Sequence, residues 1–460
     1  MNKSAQANPL GYAPIPGLIT SFAVPAIISM LVSAVYNITD QIFIGNIIGM
    51  YGNAATNVAF PVVMLTIAFS QLSGVGTATN FNICMGAKRV EEARHYVGTG
   101  LTLMSLFGLF IMVLVLVLET PILWLCGATE TVFPLAKTYL SITVFGLPFL
   151  LVGNAMSNLI RADGSPRFAM FSSIVGAILN VGMDALFMLV WNWGISGAAL
   201  ATIVGQIISF FVSAAYFTRF RAFPVARSTL KLQGRYVKDI LRLGVPSTIN
   251  HIIMTTVNIL LNNVLKTYGA LSIYGSDIPL AVSGIAAKVN SILVSFGVGI
   301  SHGCQPIFGF NYGAKNYDRV KKTFKTALGA ALVIGLLAFL AFQLFPRQIT
   351  SVFGSGDVLY YDFAEKYLRI YMMMALVFGV HPLTMSFFTS IGNVRLGILI
   401  SLSRQGFFLI PLLVVLPMVF GLSGILWAGA IADGLAFLLA VLLVRKDFRR
   451  LDSLAVLKTE

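Results

Sequence analysis

SFAVPAIISMLVSAVYNITDQIF, residues 21–43, is an apolar run with one carboxylate, Asp40, close to its end. It is long enough to cross a bilayer, which takes about 20 residues of helix. The rest of the chain is of the same kind. Of 460 residues 57% are hydrophobic and only 10% charged, with a mean hydropathy of +0.86. A soluble domain carries about 25% charged residues, so no stretch reads as a water-exposed domain. The expected class is an all-α integral membrane protein. A β-barrel does not fit, because the runs are long and continuously apolar, not short and alternating.

Runs bounded by charges or Gly/Pro give twelve expected transmembrane helices: 17–46, 54–82, 93–118, 133–158, 167–190, 195–218, 240–265, 279–309, 324–345, 361–389, 396–418 and 422–444. The first run starts after a single lysine and is too long for the apolar core of a cleavable signal. The net charge of +14 reports topology: 24 of the 31 Lys and Arg fall at Lys3, Lys88–Arg94, Arg161/Arg167, Arg219–Arg242, Lys315–Lys325, Arg395 and Arg445–Lys458. With twelve spans and both termini on one side, every one of these groups lies on that side. By the positive-inside rule it is the cytoplasm. The expected location is the plasma (inner) membrane, multi-pass, with both termini cytoplasmic and no nucleic-acid partner.

The chain repeats itself. FAVP at 22–25 returns as LGVP at 243–246, GVG at 74–76 as GVG at 297–299, and GAK at 86–88 as GAK at 313–315. Tyr139-Leu140 pairs with Tyr367-Leu368, Gly164/Arg167 with Gly392/Arg395, and WGISG at 193–197 with FGLSG at 420–424. Matches in order with a slowly drifting separation describe six spans duplicated. Six is even, so both halves enter and leave on one side and are related by a pseudo-two-fold axis along the membrane normal, as parallel repeats are. The expected division is an N-lobe at 1–218, a polar, basic cytoplasmic linker at 219–236 and a C-lobe at 237–460. Two such lobes are the architecture of an alternating-access transporter.

A charge near the bilayer centre costs about 2.5–3.5 kcal/mol even on the lenient insertion scale, so embedded acids mark chemistry. The N-lobe has two, Asp40 and Asp184. Counted at 1.5 Å per residue, Asp40, Asn180, Asp184 and Thr202 reach a common depth. Asn180 and Asp184 are also i, i+4 and share a helix face. Two carboxylates, an amide and a hydroxyl form an all-oxygen set suited to Na⁺ or to a proton. By the repeat, Asp40 falls opposite Leu261, Asn180 opposite Phe408 and Asp184 opposite Leu412, so the ion chemistry belongs to the first half. Pro25 interrupts the first span's hydrogen bonding and gives a kink or hinge. In the C-lobe, Arg404 and Asp433 sit at matching depth on adjacent antiparallel spans and read as an ion pair. Lys288, His251, His302 and His381 are further embedded ionisable groups without an assigned role.

Other chemistries are not indicated. Cys84, Cys126 and Cys304 form no metal-ligand spacing. GFNYGAKN at 309–316 is not a P-loop, and GVGISHG at 297–303 reads as a packing stripe. No hydrolase or metalloprotease motif occurs, so no enzyme is expected and no cofactor is implied.

The first-span residues Pro25, Tyr36-Asn37 and Asp40, the GAK loops after spans two and eight, RADGSPR at 161–167, LNVGMD and GISGAALAT together resemble the multidrug and toxic compound extrusion (MATE) transporters, most of all the bacterial DinF/MepA-like branch. The resemblance implies a cation-coupled (H⁺ or Na⁺) antiporter that exports amphipathic, often cationic drugs or metabolites by alternating access. It places the cation or proton at Asp40, Asn180, Asp184 and Thr202, with Tyr36, Asn37 and Asn154 as neighbours and no metal beyond Na⁺ there. Branches with acids in the seventh and tenth spans find no counterpart here. The expected partners are a small amphipathic substrate and membrane lipid, and the chain is expected to act as a monomer. The alternative is a flippase of lipid-linked precursors from the same broad superfamily, which would call for a more basic cavity than Lys288 and Arg404 supply.

Overall fold

The computed structural model describes residues 8–225, 229–352 and 357–456; Lys3, Arg227 and Lys458 of the basic groups lie outside them. The described residues form twelve long helices: α1 (Ile15–Ile47), α2 (Met50–Gly86), α3 (Val90–Leu125), α4 (Phe133–Ala162), α5 (Pro166–Val190), α6 (Gly194–Arg219), α7 (Gly234–Ala270), α8 (Asp277–Gly313), α9 (Tyr317–Leu344), α10 (Val358–Ser390), α11 (Val394–Phe420) and α12 (Leu422–Val456). Eleven are long and apolar enough to cross a membrane. The exception is α7, where Asn258, Asn262 and Asn263 are exposed.

The duplication is written in the backbone. Lys88 and Lys315, the lysines of the two GAK loops, both adopt left-handed φ, 60° and 57°. Gly164 and Gly392 do the same at 80° and 76°. Left-handed backbone is unusual for a lysine, and it recurs at matching positions because each ends a helix in the same way. After α2, Arg89 N–H reaches back to the Cys84 carbonyl; after α8, Asn316 N–H reaches the Asn311 carbonyl. These bonds satisfy carbonyls that the helix end would otherwise leave unpaired.

Contacts group the chain into two compact units, one of residues 24–251 and one of residues 1–23 with 252–460. Both boundaries fall inside helices, α1 and α7, and both lie near a helix-interrupting proline of the repeated pair, Pro25 and Pro246. In the first unit the core is built from Phe81, Met104, Leu140, Leu151, Met188 and Ile240. Lipid supplies no hydrophobic drive between helices, so close backbone approach matters. The repeated GVG shows it: a Cβ on Gly76 of α2 would lie 2.0 Å from the Ile240 carbonyl oxygen of α7, and one on Gly244 would lie 1.9 Å from that of Leu72. In the second unit the core is Leu261, Leu265, Phe363, Tyr367, Leu413 and Ile425.

The described parts of the 219–236 join are packed onto the first unit. Asp163, in the turn between α4 and α5, accepts from the Arg221 and Ala222 backbone N–H groups at 2.6 and 3.0 Å and from the Tyr216 hydroxyl at 2.8 Å. Burial pushes this carboxyl up to about 6, against the pull of those bonds. Further along, Thr99 Oγ1 donates to the Lys231 carbonyl at 3.0 Å and Tyr96 donates to Asp239 Oδ2 at 2.8 Å.

Candidate cation site in the first unit

Four helices of the first unit supply the site. Asp40 comes from α1, Tyr139 and Asn154 from α4, Asn180 and Asp184 from α5, and Thr202 from α6. What allows α5 and α6 to come together beside Asn180 is a glycine on each. A Cβ on Gly205 would lie 2.9 Å from the Gly176 carbonyl oxygen and 3.1 Å from Asn180 Cβ. Just beyond Asp184 the α5 backbone changes to a π-helical turn, Ala185–Val190. Such turns are uncommon and gather at functional sites.

A cavity of ≈ 90 Å³ opens among these helices, with Tyr36, Asn154, Asn180, Thr202 and Gln206 in its lining. Asp40 and Asp184 lie one helical turn beyond Tyr36 and Asn180 respectively, each on the same helix face as its lining residue. Both acids are buried, at 8% and 0% exposure, as is Asn180 at 3%. Asp40 Oδ1, both oxygens of Asp184 and both polar atoms of the Asn180 amide have no hydrogen-bond partner among the described residues. Buried polar groups are nearly always paired; four of these five atoms are oxygens able to accept a proton or a hard cation, and the fifth, Asn180 Nδ2, is a donor. The two carboxylates are near enough for their charges to repel each other, and a cation or proton held between them removes that repulsion.

Of the residues expected from the sequence, Tyr36, Asn154, Asn180 and Thr202 line this cavity, and Asp40 and Asp184 stand one helical turn from Tyr36 and Asn180. Asn37 is exposed on α1, where it donates to the Ser33 carbonyl of its own helix at 2.7 Å and hydrogen-bonds the Tyr36 side chain. Pro25 lies inside α1, where the carbonyl of Pro25 accepts from Ser29 Oγ at 3.0 Å. Two residues were not expected. The Tyr139 hydroxyl hydrogen-bonds with Thr202 and lies within electrostatic reach of Asp40, Asp184 and Tyr36. Gln206 Oε1 is buried without a partner; its signal was its i, i+4 spacing from Thr202. In the second unit, Arg404 and Asp433 do pair: Nε donates to Oδ1 at 2.5 Å and Nη2 to Oδ2 at 3.3 Å. Among the described residues no group of three or more His, Cys, Asp or Glu side chains could hold a metal ion, so a hard ion at this site would rely on amide and hydroxyl oxygens as well.

A duplicated bundle of membrane helices with buried acids beside a polar cavity is the architecture of a membrane transporter, and the comparisons with known proteins agree. The MatE family model matches residues 25–186 and 246–415, the two repeats in turn. The chain therefore belongs to the MATE family. It is 28% identical over 370 residues to the probable multidrug resistance protein YoeA of Bacillus subtilis, covering 78% of this chain and 77% of that one. It is 26% identical over 449 residues to the multidrug export protein MepA of Staphylococcus haemolyticus, covering 95% and 96%. Among solved structures, a MOP-superfamily transporter from Pyrococcus furiosus superposes with a TM-score of 0.90 at 23% identity over 98% of this chain and 100% of that one. An outward-facing multidrug resistance MATE transporter superposes equally well, at 0.90 and 22% identity, over 98% and 100%.

Proposed function

We propose that the chain is a cation-coupled antiporter of the inner membrane that exports amphipathic, often cationic small molecules. The observation that carries this reading is the set of buried, unpartnered oxygens on Asp40, Asn180 and Asp184 beside a polar cavity. The names of the related YoeA and MepA proteins, multidrug resistance and multidrug export, agree with it. In the proposed cycle, substrate enters from the cytoplasm or inner leaflet while the cluster holds no ion, and the lobes rock to expose it outside. H⁺ or Na⁺ then binds at Asp40 and Asp184, with Asn180 and the Tyr139–Thr202 pair completing the shell. Neutralising the carboxylates draws α1 toward α5 and releases substrate. Inward return of the ion supplies about 2.3 kcal/mol per charge per 100 mV, before any concentration term.

The test is ethidium efflux from a pump-deficient bacterium, with and without Na⁺, for wild type and Asp40→Asn. Export that is lost in a folded, membrane-inserted Asp40→Asn variant supports the reading. Export that persists in the variant removes the ion from this cluster, and the Na⁺ response of wild type separates the two ions.

A further inference from the structure

The basic join between the repeats has a feature that topology alone does not call for, and from Thr229 onward it lies within the first unit. Here the join rests directly on α3. A Cβ on Gly98 would lie 2.0 Å from the Thr229 carbonyl oxygen, and Thr99 Oγ1 donates to the Lys231 carbonyl at 3.0 Å. Gly98 is five residues inside the expected start of the third span at 93, about 7.5 Å at 1.5 Å per residue. Two and three turns further along the same face of α3 stand Ser105 and Leu109. Both are exposed, Leu109 at 52%. An exposed apolar face on a membrane helix is one that acyl chains cover, since lipid tails are as apolar as leucine. The join therefore closes the inner end of a lipid-facing stripe, at the boundary between acyl chains and headgroups.

Two kinds of side chain stand on its free surface. Leu230 and Leu232 are 42% and 49% exposed. Arg235, Lys238 and Arg242 follow at i, i+3 and i+7, one face of the first turns of α7, and all three are exposed. The other side of these turns faces inward: Ile240 is fully buried, and Asp239 accepts from the Tyr96 hydroxyl at 2.8 Å. Asp239 is the one carboxylate between residues 229 and 251, so the stripe has lost its local counter-charge. Arg89, Arg94, Lys321 and Arg450, from the other basic groups, each hold a carboxylate. Arg235, Lys238 and Arg242 form no ion pair among the described residues.

The two kinds of side chain ask for one partner. A soluble anion would answer the cations and leave the leucines uncovered. A lipid without net charge would cover the leucines and leave three positive charges unanswered. A phosphate carrying two acyl chains and a net negative charge does both. Apolar side chains that dip below the headgroups, with basic ones beside them, are how a segment anchors in the interface of an anionic membrane. The long stems of Arg and Lys carry their charge from that depth up to the phosphate layer. The positive-inside bias counts charges near a span; it does not require three of them on one helix face beside exposed leucines.

We propose that Leu230, Leu232 and the Arg235–Lys238–Arg242 stripe form a docking surface for an anionic phospholipid of the leaflet on the basic side of the membrane. The lipid phosphate sits among the three cations, and its acyl chains lie along the two leucines and the exposed face of α3. One lipid thereby clasps the join to α7, the helix on which the chain leaves the first unit. Binding here is independent of the ion cluster and of the export function proposed above.

The test is native mass spectrometry of the full chain in detergent, offered equal amounts of phosphatidylglycerol and phosphatidylcholine with the same acyl chains. Wild type is expected to take up phosphatidylglycerol at least about tenfold in preference, from the attraction of basic residues to an anionic headgroup. Arg235→Gln/Lys238→Gln/Arg242→Gln should bring that ratio to about twofold or less, while Arg445→Gln/Lys446→Gln/Arg449→Gln, which removes three exposed charges elsewhere, should leave it near the wild-type value. If the stripe variant does not fold, Lys238→Gln alone should lower the ratio about fivefold. Leu230→Ser/Leu232→Ser should weaken uptake of both lipids and keep the ratio. Glycerol 3-phosphate in large excess should not displace phosphatidylglycerol. Equal uptake of the two lipids by wild type, a wild-type ratio in the stripe variant or in Lys238→Gln, an equal loss in the control variant, or displacement by glycerol 3-phosphate overturns the surface. Ethidium efflux keeps the readings apart: a chain that selects phosphatidylglycerol but exports nothing keeps the surface and loses the export function.

Discussion

Two equivalent places in a duplicated molecule have been given opposite treatments. In the first unit Asp40, Asn180 and Asp184 are buried with their polar atoms open. At the positions the repeat places opposite them, the second unit has Leu261, Phe408 and Leu412, all part of or packed against its apolar core. The second unit keeps its embedded acid elsewhere, on α12, and pairs it with Arg404. An unpaired acidic cluster is destabilising until something binds, whereas a closed ion pair is destabilising only when one partner is removed. The difference teaches that the duplication preserved the scaffold and divided the chemistry. On the function proposed above, the same helix framework takes a cation in the first unit and is internally neutralised in the second.

The sharpest way to break that contrast is to neutralise the open cluster. Asp184→Asn and Asp40→Asn should each reduce ethidium export to background, a loss of at least about tenfold, while the melting temperature stays level or rises because a buried repulsion is gone. Retained export in either variant would undo the assignment. Next in size is the reverse experiment in the second unit. Arg404→Gln alone leaves Asp433 without its partner and should cost about 3–5 kcal/mol, against about 1 kcal/mol or less for Arg404→Gln with Asp433→Asn. Thermal melts of the three proteins read this directly, and equal destabilisation of single and double variants would show that the pair is not closed as described.

A smaller effect sharpens the site itself. Tyr139→Phe deletes only the hydroxyl that bonds with Thr202, a loss of about 1 kcal/mol. The ion concentration giving half-maximal export should therefore rise about fivefold, with maximal export unchanged. The smallest effect lies at the join. Asp163 binds its proton more tightly folded than unfolded, from the usual 3.8 up to about 6. Its contribution to stability is full below about pH 4 and is lost as the pH rises through 6. The fall in melting temperature between about pH 3 and pH 7, about one pH unit either side of that window, should therefore be shallower in Asp163→Asn than in wild type.

Much of this was legible in the residues. Long apolar runs with few charges leave little choice but membrane helices, and the duplication read from the GAK and Gly164/Gly392 repeats has a backbone counterpart in the matching left-handed turns at Lys88 and Lys315. The i, i+4 spacing of Asn180 and Asp184 put them on one face of α5, and Asn180 lines the cavity. Tyr139 was not legible as a site residue, because a tyrosine in a membrane helix is ordinary until its neighbours are known. Asn37 neighbours the site through Tyr36, to which its side chain hydrogen-bonds. The unit boundaries inside α1 and α7 were hidden as well, since an uninterrupted helix gives no compositional sign of where its contacts change.

The central claim is that the coupling ion is bound by the open cluster of the first unit. Its most direct test is substrate accumulation in proteoliposomes driven by an imposed Na⁺ or pH gradient, for wild type, Asp184→Asn and the Arg404→Gln/Asp433→Asn double variant. The account predicts gradient-driven ethidium transport in wild type and the double variant, and none in Asp184→Asn. Driven transport by Asp184→Asn, or its loss in a folded double variant, would contradict it.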